Sequence, residues 1–244
     1  MKPLLRWLGL VLMAAVLLEV FFIARIAAML VIDPQSSTFE RSEAWQLITT
    51  KGSLKWRQQW VPYKELPDSL KRAVIASEDG DFINHDGVEW EALEKAWQKN
   101  AKAQEQAAKR QQAAKPGTAK PPKIVGGSTI TQQLAKNLLL SGERTLMRKG
   151  QEFVLTFALE VLLGKKRILE IYLNSVEWGE GVFGAEAAAQ HYFRKPASRL
   201  SAYEAARLAV MLPRPKYFEK VPNSAYLASR AQVIAARMAD AELP

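Results

Sequence analysis

The sequence has no cysteine and only two histidines, His85 and His191. Without cysteine, neither disulfide bonds nor thiolate metal sites can form. With only two histidines, a histidine-based metal cluster and a Ser-His-Asp triad have little support. The nucleotide-loop pattern GxxxxGK[ST] and the Ser-x-x-Lys pattern of penicillin-type acyl-serine enzymes are also missing from the sequence. These absences argue against nucleotide binding and against catalysis by a serine nucleophile.

Long apolar runs are also scarce, and the clearest one lies near the N-terminus, between Leu4 and Ile32. Residues 7–27 supply the about 20 apolar residues that a single-pass transmembrane helix needs. Basic residues before the span predict that residues 1–6 stay in the cytoplasm and that the rest of the chain faces the periplasm from the bacterial inner membrane. A cleaved signal peptide is the alternative, disfavoured because no small-x-small cleavage pattern follows the run. Glu19 is costly inside a bilayer, and we hypothesise that it is protonated or faces a partner helix.

Acidic residues are few between positions 94 and 123, where eight Lys or Arg residues stand against Glu94 and Glu105. The remainder of the chain is only mildly basic, so nucleic-acid binding would have to use this segment, and we predict no nucleic-acid partner. Its part from 101 to 123 is rich in Ala, Gln and Lys. That composition predicts a basic insertion in which a solvated helix extension passes into a mobile loop. Contact with the anionic face of a membrane is the alternative.

We interpret residues 28–65 as a connector. The stretch from 56 to 63 is either a strand, which Pro62 would limit to the edge of a sheet, or an extended linker. Residues 66–244 predict one domain. Apolar residues at helical spacing predict helices that begin near positions 66, 90, 130, 148, 168, 185, 200 and 224. Gly179, Gly181 and Gly184 predict a loop, and the sequence shows no clear hairpin. The predicted fold class is therefore mainly α.

Acidic, amide and small hydroxyl side chains concentrate in two stretches, residues 77–87 and residues 126–137. We expect Glu78 at the end of the helix that begins near position 66, where its side chain can project into a cleft. In the second stretch, Ser128 or Thr129 is expected to cap a helix. The polar residues of that helix are spaced four positions apart and therefore lie on neighbouring faces.

Two carboxylates on separate predicted helices, Glu78 and Glu152, suit a reaction at a sugar anomeric carbon. In such a reaction one group handles the proton and the other handles charge or geometry. Lys136, Arg144 and Arg148 suit a phosphate or pyrophosphate group. Because Arg148 and Glu152 lie four positions apart, a surface ion pair is the simpler interpretation of those two. These residues alone indicate a membrane-anchored enzyme that acts on a glycosyl phosphate.

Five stretches between Leu66 and Tyr217 resemble, in order, the motifs of the peptidoglycan glycosyltransferase family. This family includes the N-terminal module of bifunctional penicillin-binding proteins. The stretches are Glu78–Gly87 (EDGDFINHDG), Gly127–Asn137 (GSTITQQLAKN), Arg148–Glu152 (RKGQE), Ile168–Asn174 (ILEIYLN) with Gly179, Gly181 and Gly184 after it, and Leu200–Ser201 with Glu204, Leu208, Pro213 and Tyr217. The segment 101–123 departs from the family by its length. Without a transpeptidase domain, the chain resembles the monofunctional, biosynthetic, membrane-anchored branch.

The resemblance implies a mainly helical, lysozyme-like glycosyltransferase domain with a small membrane-facing lobe. It implies polymerisation of lipid II into β-1,4-linked glycan strands, with inversion, release of undecaprenyl pyrophosphate and no transpeptidase activity. The implied partners are lipid II, the growing lipid-linked glycan strand and membrane lipids. Cell-division or cell-wall synthesis proteins, reached through the transmembrane helix, are further candidates. No cofactor is required by the resemblance, and a divalent ion, Mg or Mn, near Glu152 is a candidate.

By the same resemblance, Glu78 is the base that takes the proton of the acceptor hydroxyl. Glu152 is the second acid, beside the donor pyrophosphate. Lys136 and Arg144 match positions that hold that pyrophosphate. The other matches to substrate-binding positions are Asp79, Ser128, Gln132, Gln133, Asn137 and Arg148. Phe82 and His85 match motif positions that we expect to shape the site without taking part in the chemistry.

Two alternatives remain at this point. A lysozyme-like hydrolase or lytic transglycosylase would cleave peptidoglycan, and it needs one acid but no cations for pyrophosphate. Lys136, Arg144 and Arg148 argue against it. The non-enzymatic alternative is a membrane-anchored scaffold of the cell-wall machinery, which would have no need for both Glu78 and Glu152.

Overall fold

The computed structural model describes residues 2–113, 126–143 and 145–244, without the side chains of 110–113. Helices account for most of this part of the chain, which confirms the mainly α fold class. The helices are α1 (Lys2–Ala28), α2 (Thr38–Lys51), α3 (Asp68–Glu78), α4 (Trp90–Ala113), α5 (Ile130–Leu139), α6 (Leu146–Ser175), α7 (Ala185–Phe193), α8 (Ala202–Met211), α9 (Pro215–Lys220) and α10 (Ala225–Arg237). Three short strands join them, β1 (Arg57–Gln58), β2 (Glu177–Gly179) and β3 (Val182–Phe183).

Helix α1 is, among the described helices, the one long and apolar enough to cross a membrane, with a mean hydropathy of 2.5 in its most apolar window. Its C-terminal end packs against α6, and Ile26 and Met29 are buried there. Arg167 of α6 fixes this end because its guanidinium donates hydrogen bonds to the carbonyl oxygens of Met29 and Ile32. The finding agrees with a single-pass anchor that leads directly into the domain.

Helix α2 was missed in the sequence, where its residues were assigned to an irregular connector. Its signals are local: Ser37 and Glu40 form a capping box, and Gly52 ends the helix in the left-handed conformation at φ 64°. Apolar periodicity did not indicate this helix, because most of the helix is exposed and Leu47 is one of its few buried residues. The connector therefore contains a 14-residue helix that packs against α5.

The small sheet also differs from the expectation of a glycine loop without a hairpin. Strands β2 and β3 form an antiparallel hairpin, and β1 pairs in parallel with β3 at the edge. Because β1 pairs with β3, the stretch 56–63 contains an edge strand and is not simply an extended linker. Gly181 permits the hairpin because its φ is +70° and a Cβ would lie 1.8 Å from the carbonyl oxygen of Lys55. The strands are only two or three residues long, so they went unnoticed in a helical pattern.

The core lies between helices α3, α5, α6, α8 and α10, which pack on one another around the buried residues Leu70, Leu134, Leu155, Leu208 and Ile234. Helix α6 merges two predicted helices and bends at Gly164, whose φ of 70° and ψ of 161° are not helical. The predicted α8 is confirmed at Ala202–Met211, and Ser201 caps it. Helix α9 was not predicted, and it begins at Pro215, the second of the two prolines that follow α8.

The basic segment is partly described. Helix α4 continues from Trp90 to Ala113, which confirms the predicted helix extension. The predicted mobile loop from 114 to 123 lies outside the described residues. The predicted membrane-facing lobe stays a prediction.

Candidate functional site

A cleft of about 890 Å³ opens between α2, the end of α3, α5, β2 and the turn from α8 to α9. Six of the predicted site residues line it, namely Glu78, Ser128, Gln133, Lys136, Asn137 and Arg148. They come from three separate stretches of the sequence, and the fold brings these stretches together at one cleft. Arg144 lies outside the described residues.

Glu78 is the last residue of α3, and its carboxylate projects into the cleft as expected. The side-chain amide of Gln133 donates a hydrogen bond of 3.0 Å to Glu78 Oε2. Tyr172 holds that amide in place by donating to Gln133 Oε1, also at 3.0 Å. Burial raises the pKa of Glu78, while its hydrogen bonds from Gln133 and Ser77 oppose the rise and Asp79 adds to it. A carboxyl group of this kind holds a proton more tightly than an exposed glutamate does.

Asp79 points away from the cleft and is buried, with 4% of its surface exposed. One of its oxygens lies 2.8 Å from Nε2 of His85, and the other accepts a hydrogen bond of 2.9 Å from the backbone N–H of Ile130. Because Nδ1 of His85 accepts from the N–H of Gly87, Nε2 carries the proton that Asp79 binds. Asp79 therefore ties the loop after α3 to the start of α5, and Phe82 beside it is fully buried in the core.

Thr129 is the N-cap of α5 and forms a capping box with Gln132. The Gln132 side chain accepts from the Thr129 N–H at 3.1 Å and is 1% exposed. The Thr129 hydroxyl donates to the carbonyl oxygen of Gly87. The capping box turns Gln132 inward, so that Gln133, Lys136 and Asn137 face the cleft.

Glu152 is buried under the cleft, with 3% of its surface exposed. It pairs with Arg148 at 3.1 Å and with Lys149. Arg148 lines the cleft, so Glu152 acts on the site through its ion pair with Arg148. The pair is therefore largely buried, in contrast to the exposed surface pair that was the simpler interpretation of the sequence. Among the described residues, no group of three or more His, Asp or Glu side chains is placed to hold a metal ion, and the divalent ion near Glu152 stays a prediction.

Three further charged residues at the cleft were missed in the sequence, namely Glu43 of α2, Glu177 of β2 and Lys216 of α9. Glu43 and Glu177 line the cleft, and Lys216 contacts both of them. Burial raises the pKa of Glu177 to about 7, with Lys216 opposing the rise and Glu43 adding to it. Residues this far apart in the chain give no local signal, since only the packing of three elements brings them together.

The arrangement combines a buried acid of raised pKa with fixed cations in one cleft. Glu78 can accept a proton from a hydroxyl group bound beside it. Lys136 and Arg148 can stabilise negative charge on a departing phosphate oxygen. A group-transfer reaction from a phosphate-linked donor to a hydroxyl acceptor needs both.

Comparison with known proteins agrees with this chemistry. The family model described as Transglycosylase matches residues 46–239. The chain is 55% identical over 226 residues to a protein from Burkholderia thailandensis, covering 93% of this chain and 82% of the relative. It is 50% identical to a protein from Paraburkholderia xenovorans, covering 93% and 87%. It is 47% identical to a protein from Herminiimonas arsenicoxydans, covering 100% and 99%. Each of these relatives is named a biosynthetic peptidoglycan transglycosylase.

Proposed function

The chain belongs to the transglycosylase family and is a peptidoglycan glycosyltransferase, and we propose that it polymerises lipid II by base catalysis at Glu78. The product is a β-1,4-linked glycan strand, and undecaprenyl pyrophosphate is released. The observation that carries the proposal is the cleft in which Glu78, its pKa raised by burial, lies with Lys136 and Arg148.

Glu78 removes the proton from the 4-hydroxyl of the acceptor GlcNAc. General-base catalysis is most efficient when the pKa of the base lies close to the working pH, and burial moves Glu78 in that direction. The hydrogen bonds from Tyr172 to Gln133 and from Gln133 to Glu78 support the carboxylate on one side. The deprotonated oxygen then attacks C1 of the donor MurNAc from the face opposite the leaving group, which inverts that carbon.

Lys136 and Arg148 bind the donor pyrophosphate and stabilise the charge that grows on it as the C1–O bond breaks. Glu152 keeps Arg148 in position through their 3.1 Å ion pair. By the resemblance to the family, Arg144 belongs to the same cationic set. Ser128 and Asn137, which also line the cleft, supply hydrogen bonds to sugar or phosphate oxygens.

Lytic cleavage of peptidoglycan is the weaker alternative. Hydrolysis or lytic transglycosylation of a glycan strand releases no pyrophosphate, so it would leave the cations of the cleft without a role. The relatives named above are described as biosynthetic, which also favours polymerisation.

The proposed location is the bacterial inner membrane, with the N-terminus in the cytoplasm and the catalytic domain in the periplasm. Helix α1 supports a membrane anchor by length and composition. A lipid-linked substrate and its lipid-linked product both stay in the membrane, so an anchored enzyme meets them without leaving the surface. Cell-division or cell-wall synthesis proteins that contact α1 are proposed partners, and a scaffolding role is compatible with the activity.

Polymerisation of lipid II by the purified full chain in detergent tests the proposal. We expect Glu78→Gln to reduce the rate by about a thousandfold, within the range that general acid–base groups contribute. The melting temperature should not fall, because Gln133 can hydrogen-bond to the new amide oxygen. Glu91→Gln, a change at an exposed residue outside the cleft, is the matched control and should polymerise as the wild type does.

Equal polymer from Glu78→Gln and wild type would remove Glu78 from the mechanism. Soluble fragments released from intact peptidoglycan, with no polymer from lipid II, would favour the lytic alternative.

A further inference from the structure

Glu43, Glu177 and Lys216 form a charged cluster on a part of the cleft wall that the proposed mechanism does not use. Lys216 donates a short hydrogen bond to Glu43, and its Nζ lies 3.5 Å from Oε1 of Glu177. The cluster joins α2, β2 and α9, whereas the cations proposed for the pyrophosphate come from α5 and the start of α6. The cleft therefore has one cationic region and one acidic region.

Glu177 is the member of this cluster with an unfilled hydrogen-bonding position. Its side chain lines the cleft, yet only 7% of the residue's surface is exposed. Within the described part of the chain, Oε1 has no hydrogen-bond donor, and the 3.5 Å contact with Lys216 is longer than the about 2.7–2.9 Å of a charge-assisted hydrogen bond. A buried acceptor without a donor is unfavourable, and folded proteins satisfy such atoms with water or a ligand.

Glu78 and the acidic region belong to the same cleft, and the packing of α3 on α8 connects them. The Ser77 hydroxyl is 3.5 Å from the carbonyl oxygen of Ala209 in α8, and Leu212 and Pro213 continue from there along the cleft wall towards α9. Lys216 follows in α9. A substrate that places a hydroxyl at Glu78 can therefore reach Glu177 along the same wall.

Charge decides which part of the substrate fits there. A pyrophosphate would be repelled by Glu43 and Glu177, whereas hydroxyl and amide N–H groups are donors that a carboxylate accepts. We propose that Glu177 is a substrate-binding residue that accepts a hydrogen bond from a sugar hydroxyl or acetamide N–H of the lipid-linked saccharide. The proposal rests on the proposed function, and it adds a specificity-determining contact outside the motif residues.

The strength of this contact depends on pH. Burial raises the pKa of Glu177 to about 7, Lys216 opposes the rise, and Glu43 and Glu219 add to it. These are the charged groups that face Glu177 from α2 and α9. Above pH 7 the carboxylate is charged and accepts a stronger hydrogen bond, so the KM for lipid II should fall between pH 6 and pH 8.

The test compares Glu177→Gln with wild type at pH 6 and pH 8. Glutamine is neutral at both values and resembles the protonated acid in shape. We expect the ratio of KM between variant and wild type to be near one at pH 6 and about ten at pH 8, the gain of a charged over a neutral acceptor. The kcat should stay within about twofold of wild type, because Glu177 does not take part in bond breaking.

Glu219→Gln is the matched control, since Glu219 belongs to the surroundings of Glu177 but does not line the cleft. Its KM should equal that of wild type at pH 8 and be no higher than that of wild type at pH 6, because loss of the Glu219 charge lowers the pKa of Glu177. A KM ratio for Glu177→Gln that does not change with pH would overturn the proposal. A loss that follows a fall in melting temperature and also occurs in Glu219→Gln would assign Glu177 a structural role.

Binding without turnover separates this proposal from the proposed function. Lipid II affinity is measured in Glu78→Gln and in the double variant Glu78→Gln with Glu177→Gln, at pH 8. About tenfold weaker binding in the double variant supports the contact even if Glu78 proves not to be the base. Equal affinities would exclude it, whatever the activity assays show about Glu78.

Discussion

Glu78 depends on neighbours that do not line the cleft. Tyr172 is 1% exposed and reaches Glu78 only through the Gln133 amide. Asp79, next in the chain, turns away to bind His85 and Ile130, and it adds a repulsive negative charge near Glu78. The proton affinity of the proposed base is thus set by burial first and adjusted by these contacts.

Tyr172→Phe should change the pH dependence of activity. Without the tyrosine hydroxyl, the Gln133 amide is less well fixed, so it lowers the pKa of Glu78 less than it does in wild type. Glu78 must be deprotonated to act, and the acidic limb of kcat/KM should therefore move to higher pH. On the acidic limb, below the pKa of Glu78, we expect about a threefold loss relative to wild type, equivalent to roughly 0.7 kcal/mol of a neutral hydrogen bond.

The full pH profile of kcat/KM is the measurement, with activity at pH 8.5 as the internal control. There Glu78 is deprotonated in both proteins, and the two values should agree. A uniform loss at every pH would show that Tyr172 supports the fold of the site and leaves the pKa of Glu78 unchanged.

Helices α5 and α2 differ in how well they could be predicted from the sequence. The motif around Thr129 predicted both the cap and the helix, because a capping box and apolar spacing are local signals. The same motif did not reveal that Gln132 faces inward and Gln133 faces the cleft, since a helix exposes either face until its partners are known. Helix α2 had a capping box but no strong apolar stripe, and it was missed.

In the hairpin β2–β3, the backbone at Gly181 lies very close to the backbone at Lys55. A Cβ at Gly181 would lie 1.8 Å from the Lys55 carbonyl oxygen, and the residue has a φ of +70°. Gly181→Ala should lower the free energy of unfolding by about 3 kcal/mol or more, from steric overlap added to the cost of the left-handed backbone. The melting temperature should then fall by roughly 6–12 °C, measured by thermal unfolding.

Gly52→Ala is the control for the backbone contribution alone. Gly52 has a φ of +64°, but a Cβ there would meet no atom within 4 Å. It should cost only about 1 kcal/mol. If the two variants unfolded at the same temperature, the close contact between Gly181 and Lys55 would have no part in stability.

Arg167 connects the end of the apolar helix α1 to the catalytic domain, in addition to the packing of Ile26 and Met29 on α6. Arg167 donates to the carbonyl oxygens of Met29 and Ile32 and pairs with Asp33 and Glu170 at 2.8 and 3.0 Å. Its side chain is 16% exposed, so these charge-assisted contacts are partly shielded from water. This joint, formed by the contacts of Arg167, holds the cleft at a constant position relative to the end of α1.

Arg167→Leu should free that joint without altering the cleft. We expect protease cleavage between residues 30 and 36 to become about tenfold faster, since opening of the segment would lose roughly 1.4 kcal/mol or more of protection. Polymerisation in detergent should stay within about twofold of wild type, because α6 keeps Glu152 and Arg148 in place.

Arg230→Leu is the matched control, because Arg230 is an exposed arginine of α10, which packs on α3 and α8. Its cleavage rate should remain near that of wild type. Unchanged cleavage in Arg167→Leu would mean that the packing of Ile26 and Met29 alone holds the joint.

The resemblance to the family supplied Glu78 as the proposed base. The sequence by itself determined the long apolar helix α1, most of the other long helices and the chemical type of the site. Each of these follows from local patterns, namely apolar spacing, caps and residue types close together in the chain. The burial of Asp79 and Gln132, the pairing of Glu152 beneath the cleft and the cluster of Glu43, Glu177 and Lys216 followed only from the folded chain. They depend on contacts between distant segments, and the pKa of a carboxyl group depends on how much water those contacts remove.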